Sequence, residues 1–240
     1  MIEKSAAARH DRLNAQSSGA VRYLVQRLLL LMLFAVILFI AAGTWHSHRA
    51  WAYVLAVLIF EGLTLSILAW RAPHTLKQRG HIGARVKPFD RVFIALWLVL
   101  ALITPVVAGL ETRAGAPALP WLWFYVGLAT LTLASLFGLW AMVANEHFEQ
   151  FVRIQTERGH RVVTTGPDQF VRHPGYLAAV VGALATPLML GSIWTFAPAA
   201  LIAALFVIRT ILEDRTLRRE LDGYEAYARR TRFRLVPGIW

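Results

Sequence analysis

Six stretches of this sequence carry almost no charge, at about residues 24–43, 51–70, 91–110, 121–144, 175–190 and 194–211. At 1.5 Å per helical residue, runs of this length approach or exceed a hydrocarbon core of about 30 Å. A backbone inside lipid must satisfy its own N–H and C=O groups. Runs without strand-like alternation do so as helices. The sequence therefore predicts an all-α, polytopic helical membrane protein of about six transmembrane helices, the last two joined tightly as a C-terminal helical hairpin by 191–193. The hydrophobic share of 57% fits that class and not an ordinary soluble domain.

The charged residues say how the runs are arranged. With the N-terminus inside, 23 of the 25 Lys and Arg fall in inside segments (1–27, 71–91, 153–172, 209–234), and only Arg49 and Arg113 fall outside. That asymmetry predicts both termini in the cytoplasm, of an inner or cell membrane if the source is bacterial. Trp45, Trp51, Trp121, Trp123 and Trp194 all fall at the expected outer ends, as an aromatic belt would. The net charge of +11 lies beside apolar runs, which points to anionic lipid headgroups. No base-reading module is present, so nucleic acid is not an expected partner. The chain has no cysteine, which excludes disulfides and thiolate metal sites.

The chain divides into three regions. Residues 1–22 form a basic, Ala/Ser-rich tail expected to be disordered. The first apolar run follows this long polar tail, so it is expected to be a retained span and not a cleaved signal, despite the small residues Ala41-Ala42-Gly43. Residues 23–144 form a four-helix transmembrane region. Its loops are 44–50, with His46 and His48, a basic segment over 71–90, and 111–120. Pro105 should kink or end the third span. Residues 145–240 turn polar up to Pro174, re-enter as the hairpin, and finish as a charged helix that Gly223 should end.

Candidate chemistry concentrates in the third region. His173-Pro174 opens the fifth span, with proline at a first helical turn where its missing donor costs nothing. A helix N-terminus there suits a carboxylate or phosphate, Gly175 would admit a ligand close to the backbone, and Tyr176 adds a ring and a hydroxyl. Arg209 and Glu213 share one helix face where the sixth span emerges, and the hairpin returns them to the level of His173. The same residues serve equally well as a plain helix start and an interfacial ion pair. Glu61, midway along the second span, is either functional or paired. Asn145, Glu146, His147 and Glu149 form a polar helix end or a pocket wall. One histidine with two acids is a poor ligand set, so no metal is expected. No phosphate loop, dinucleotide fingerprint or nucleophile elbow is present.

Taken together, Gly159-His160-x-Val162-Val163-x-Thr165-Gly166-Pro167, Val171-Arg172-His173-Pro174-x-Tyr176, Arg209-x-x-x-Glu213, Gly223-Tyr224-x-x-Tyr227 and Arg234-Leu235-x-Pro237 resemble the isoprenylcysteine carboxyl methyltransferase family over about residues 145–240. The phospholipid methyltransferases are its wider relatives. The resemblance implies a membrane enzyme with a cytosolic pocket for S-adenosyl-L-methionine. It implies that His160, Arg161, Val162 and Val163, with Gln155, line the adenosine part of that pocket. His173, Pro174, Gly175 and Tyr176 would hold the methionine part and Glu213 the cofactor, with Arg209 as the catalytic residue that orients the substrate. Asp168 stands where the family usually carries an aromatic residue. Two acceptor chemistries are compatible with these residues. A carboxylate of a lipidated or apolar acceptor, entering from the bilayer, would need only alignment. An amine, as in a phospholipid, would need a base. A scaffold or transporter fits less well, because Glu61 is the one ionisable group deep in a span.

Overall fold

The computed structural model describes the backbone of residues 2–79, 86–116 and 118–240, and side chains from residue 19 onward except 77, 78 and 157. Among these residues the fold is helical, without strands. The helices are α1 (Ile2–Ala42), α2 (His48–Arg71), α3 (Pro73–Arg79), α4 (Pro88–Arg113), α5 (Trp121–Ala144), α6 (Pro174–Leu190), α7 (Phe196–Glu220) and α8 (Tyr224–Arg230). Five hold a stretch long and apolar enough to cross a membrane: Gly19–Ala42 within α1, and α2, α4, α5 and α7. The sixth expected span, α6, is a shorter apolar helix of 17 residues. Two breakers set its length: Pro174 at its first turn, and Gly191 at its end with a left-handed φ of 73°.

Other expectations shift at the helix ends. The basic segment 71–90 contains α3, and 80–85 lie outside the described residues. The tail expected at 1–22 continues the backbone of α1 from Ile2, and its side chains before residue 19 lie outside the described residues. Pro105 does not end α4, which runs on to Arg113. Gly223 does not end α7. That helix stops at Glu220, and Gly223, at φ 80°, is the N-cap of α8.

Helix association inside lipid depends on close packing, because lipid tails are as apolar as the side chains. Small residues provide it. A side chain at Gly127 would meet Leu188, Met189 and the Ala185 carbonyl, and one at Gly138 would meet Ala178, so α5 and α6 touch along their length. Gly109 lets α4 approach Ala41, Ala42 and the Leu38 carbonyl of α1. The large apolar side chains left over, such as Met32, Leu55, Val99 and Leu133, point outward, as a lipid-facing surface requires.

One end of the bundle is closed by two charged clamps. Arg49, expected in a loop, lies buried in the first turn of α2. It donates to the carbonyls of Met189 (2.9 Å) and Leu188 (3.0 Å), which α6 leaves unpaired at its C-terminus, and to those of Leu119 and Pro120. Glu111 accepts from the Ser192 hydroxyl and from the N–H groups of Ile193 and Trp194, both at 3.2 Å, and so holds the turn into α7. Trp45, Trp51, Trp121, Trp123 and Trp194 are exposed on this end, and so are His46 and His48. Arg49→Ala strips four carbonyls of their donor. It should lower stability by about 2–4 kcal/mol, read as a loss of several degrees in the melting temperature of the detergent-solubilised protein, while Arg49→Lys loses less.

Candidate functional site

The opposite end of the bundle is polar. Here residues 145–173 fold over the start of α6 and the end of α7, and α8 with the C-terminal segment closes the far side. Two short 3-10 turns, Thr156–Arg158 and Gly166–Gln169, shape the segment. Its frame is the ion pair of Arg172 with Asp214 on α7, at 2.8 Å, with both side chains almost wholly buried. Arg172 also donates to the carbonyls of Thr231 (2.8 Å) and Arg232 (3.0 Å). Asp214 further accepts from the Tyr224 hydroxyl at 3.0 Å, Arg218 at 3.1 Å and Arg234 at 3.2 Å. The backbone N–H groups of Arg172 and His173 donate to Phe233 (2.9 Å) and Arg234 (3.0 Å), which ties the C-terminal segment to the entry of α6.

Inside this frame is a cavity of about 120 Å³ lined by Gln155, His160, Arg161, Val162, Val163, His173, Pro174, Gly175, Tyr176 and Glu213, ten residues from four separated stretches. These are the positions to which the resemblance assigns cofactor contacts. His173 is buried, its ring stacked on Tyr176 at 5.5 Å and 9°. Its Nδ1 lies 4.0 Å from Glu213 and its Nε2 3.8 Å from Asp214. The Tyr176 hydroxyl donates to Glu213. On the other wall, Val162 packs with Leu221, Tyr224 and Tyr227, and the His147 and His160 rings lie 4.7 Å apart. Gln155 is buried and spends its amide within the loop, donating to the His147 carbonyl (2.7 Å) and accepting from Arg158 (2.6 Å). Arg161 is largely exposed and pairs with Glu146 at 2.8 Å, which holds the Glu146 carboxyl below its usual range.

Two expected roles change. The Phe148 ring covers the bare Cα of Gly175, so that glycine makes room for a side chain of the protein and not for a ligand. Arg209 does not line the cavity. It is buried behind Tyr176, 4.9 Å from that ring and 4.4 Å from Phe93. It pairs with Asp90 at 2.9 Å and donates to the Gln150 carbonyl at 2.6 Å, while Asp90 accepts from the Val152 N–H at 2.7 Å. This group braces α4, α7 and the 150–152 segment against one another, and direct contact with an acceptor is not what the geometry offers. Asp90, Asp214 and Phe148 were missed by sequence reasoning. The signal for Asp90 was a lone acid beside Pro88 in a basic segment, and for Asp214 its place next to Glu213.

Buried polar atoms without a hydrogen-bond partner are rare in folded proteins and mark places where something else is bound. Among the described residues there are nine such side-chain atoms, and four line this cavity: both ring nitrogens of His147, Oδ2 of Asp168 and Nε2 of His173. Burial also pushes the His147 ring below its usual pKa. The donor and acceptor set thus suits a polar ligand with groups of both kinds. At about 120 Å³ the cleft is narrower than a nucleoside-sized ligand requires. Arg161, on its lining, is held only by an exposed pair with Glu146, which is the cheapest part to displace. Among the described residues no three His, Asp or Glu cluster as metal ligands would.

Fold and site define an integral membrane protein with a buried polar pocket at one end of a helical bundle. A sequence model of the Isoprenylcysteine carboxyl methyltransferase (ICMT) family matches residues 125–219, from within α5 almost to the end of α7. A probable protein-S-isoprenylcysteine O-methyltransferase of Oryza sativa subsp. indica is 27% identical over 187 residues, 76% of this chain and 93% of its own length. The protein-S-isoprenylcysteine O-methyltransferase B of Arabidopsis thaliana is 26% identical over 153 residues, 62% of this chain and 78% of its own. A nickel-cobalt-cadmium resistance protein, NccN, of Alcaligenes xylosoxydans xylosoxydans is 35% identical over 109 residues, 44% of this chain and 46% of its own. The resemblance carried by the motifs is thereby borne out: the chain is a membrane methyltransferase whose residues 125–219 match the model of the isoprenylcysteine carboxyl methyltransferase family.

Asp168 departs from the family's usual aromatic residue, yet it lines the cavity. Burial pushes its carboxyl up to about 7, against an opposing hydrogen bond from the Asn145 side chain. An unfolded carboxyl ionises near 4. Between about 4 and 7 the unfolded chain loses this proton while the folded chain keeps it, so the fold loses stability as pH rises through that window. Asp168→Asn cannot ionise and should relieve the penalty. Melting curves in detergent should show little difference from wild type near pH 4 and a stabilised variant at pH 8, by roughly 1–3 kcal/mol.

Proposed function

We propose that this protein is an S-adenosyl-L-methionine-dependent carboxyl methyltransferase whose acceptor is apolar or lipidated, of the S-isoprenylcysteine class, and reaches the site from the bilayer. The observation that carries this reading is the convergence of four unpartnered buried polar atoms on one cavity at the entry of α6, with Glu213 beside them. S-adenosyl-L-methionine, when bound, supplies an electrophilic methyl on sulfur. Glu213, oriented by the Tyr176 hydroxyl, suits an ammonium or a pair of ribose hydroxyls. The start of α6 carries the positive end of a helix dipole, which suits a carboxylate. Val162 and Val163, with Tyr224 and Tyr227, form an apolar wall for a flat ring. A carboxylate acceptor is already ionised, so the protein need only align it and exclude water. Arg209 acts here by positioning: it holds Tyr176, and through it Glu213, and its Nε is its buried donor still unpaired.

One observation favours a second acceptor chemistry. An amine must be neutral to attack, and a buried carboxyl near pKa 7 with a free Oδ2, as at Asp168, is the kind of base that step would use. Incubation of the detergent-solubilised protein with methyl-labelled donor and a membrane lipid extract separates the two. Base-labile methyl ester supports the carboxyl reading, and base-stable methylamine product overturns it.

In calorimetry, Glu213→Ala and His173→Ala should each weaken donor binding by at least tenfold. Binding left untouched by both would remove the proposed cofactor site.

The charge distribution supports both termini in the cytoplasm, with the polar site there and the tryptophan-rich end outside. The natural absence of cysteine makes this directly measurable. On intact cells an impermeant maleimide should label His46→Cys and spare Asp222→Cys, and permeabilised cells should label both. The opposite pattern would invert the topology.

A further inference from the structure

A second cavity, of about 230 Å³, lies within the helical bundle between α1, α2, α5 and α6. Its polar lining is Tyr23, Arg27, Glu61, Thr64, Arg79 and Ser135. Arg27 and Glu61 neutralise each other by an ion pair, which accounts for the acid found midway along α2. Arg79, the last residue of α3, has no such partner among the described residues. Its guanidinium packs 5.2 Å from the Tyr23 ring and 5.4 Å from the Phe148 ring, and its Nε and Nη1 are buried with no acceptor among the described residues.

A guanidinium cannot shed its charge, so two buried, unpaired donors on it leave a positive site that calls for an anion. The cavity also has apolar walls, Val57, Phe60, Leu131 and Met142 among them, on helices whose outer faces meet lipid. An anionic head on an apolar tail therefore fits better than a free anion. Phe148 and Gly175 line both this cavity and the polar one, so a head held at Arg79 is separated from the proposed donor site by one ring and one helix turn.

We propose that Arg79 binds the carboxylate of the methyl acceptor, and that the cavity between α1, α2, α5 and α6 holds the adjoining part of its apolar tail. The proposal rests on the carboxyl methyltransferase reading above. In the transfer, a carboxylate oxygen lone pair forms the O–C bond while the S–C bond to the methyl breaks. Its electron pair stays on sulfur, and no proton moves. The anionic acceptor becomes a neutral ester and the sulfonium a neutral thioether. Arg79 thereby distinguishes substrate from product, holding the first and releasing the second.

The test uses the full-length protein in detergent, with N-acetyl-S-isoprenylcysteine and its methyl ester as probes. Wild type should bind the acid at least tenfold more tightly than the ester. Arg79→Gln should erase that preference and raise the KM for the acid by tenfold or more, with kcat less affected, and Arg79→Lys should keep part of it. Calorimetric binding of S-adenosyl-L-methionine should change by less than twofold in both variants, which also shows that they fold. A tenfold acid preference surviving in Arg79→Gln overturns the proposal while leaving the enzyme reading intact. Loss of a co-purifying anionic phospholipid in Arg79→Gln, with acid preference unchanged, also overturns it and makes the cavity a lipid phosphate site. Failure of wild type itself to bind the donor sinks the underlying reading instead.

Discussion

The polar end of this protein depends on one buried ion pair, Arg172 with Asp214. Both side chains are almost wholly removed from solvent, and such a pair is worth having only if its remaining donors and acceptors are satisfied. They are: Arg172 reaches carbonyls of 228, 231 and 232, and Asp214 takes Tyr224, Arg218 and Arg234. One pair thus joins the entry of α6, the emerging turn of α7, α8 and the C-terminal segment. His173 and Glu213 are the chain neighbours of Arg172 and Asp214. The pair that holds the elements together therefore also sets the distance between the two residues most central to the site.

A second brace accompanies the first. Arg209, Asp90 and the 150–152 backbone connect α7 to the start of α4 and to the loop that covers the cavity. At the far end, Arg49 and Glu111 fix the turn between α6 and α7. The hairpin is thus held at both ends by charged groups and along its length against α5 by Gly127 and Gly138. In lipid, where apolar contact alone gives little preference for one helix pairing over another, these polar and small-residue contacts choose the partners.

Much of this was legible in the sequence, and the reasons differ by element. Helix existence followed from apolar length, and the fourth span was legible to the residue because Pro120 and the polar Asn145 bound it. Gln155, His160 to Val163, His173 to Tyr176 and Glu213, the residues that the resemblance names for the cofactor, line one cavity. What was not legible depends on distance between chain segments. Nothing local says that Arg49 caps α6, that Phe148 fills the space over Gly175, or that Asp90 takes Arg209 out of the cavity wall. Each is a contact between residues 27 or more positions apart.

By itself the sequence determined the class of protein, because long apolar runs flanked by basic residues allow no other solution in water or lipid. It also determined which residues could do chemistry, because Glu213, His173 and Arg209 must lie near one another once the hairpin closes. The tertiary structure decided which of them face the cavity and which stand behind it. Glu213 and His173 line it, Arg209 is spent on Asp90, and Arg79, in a segment that reads as a plain basic loop, is left with donors unpaired among the described residues. The physical reason is that a charge buried near lipid must find a partner, and which partner is nearest is a property of packing and not of order along the chain.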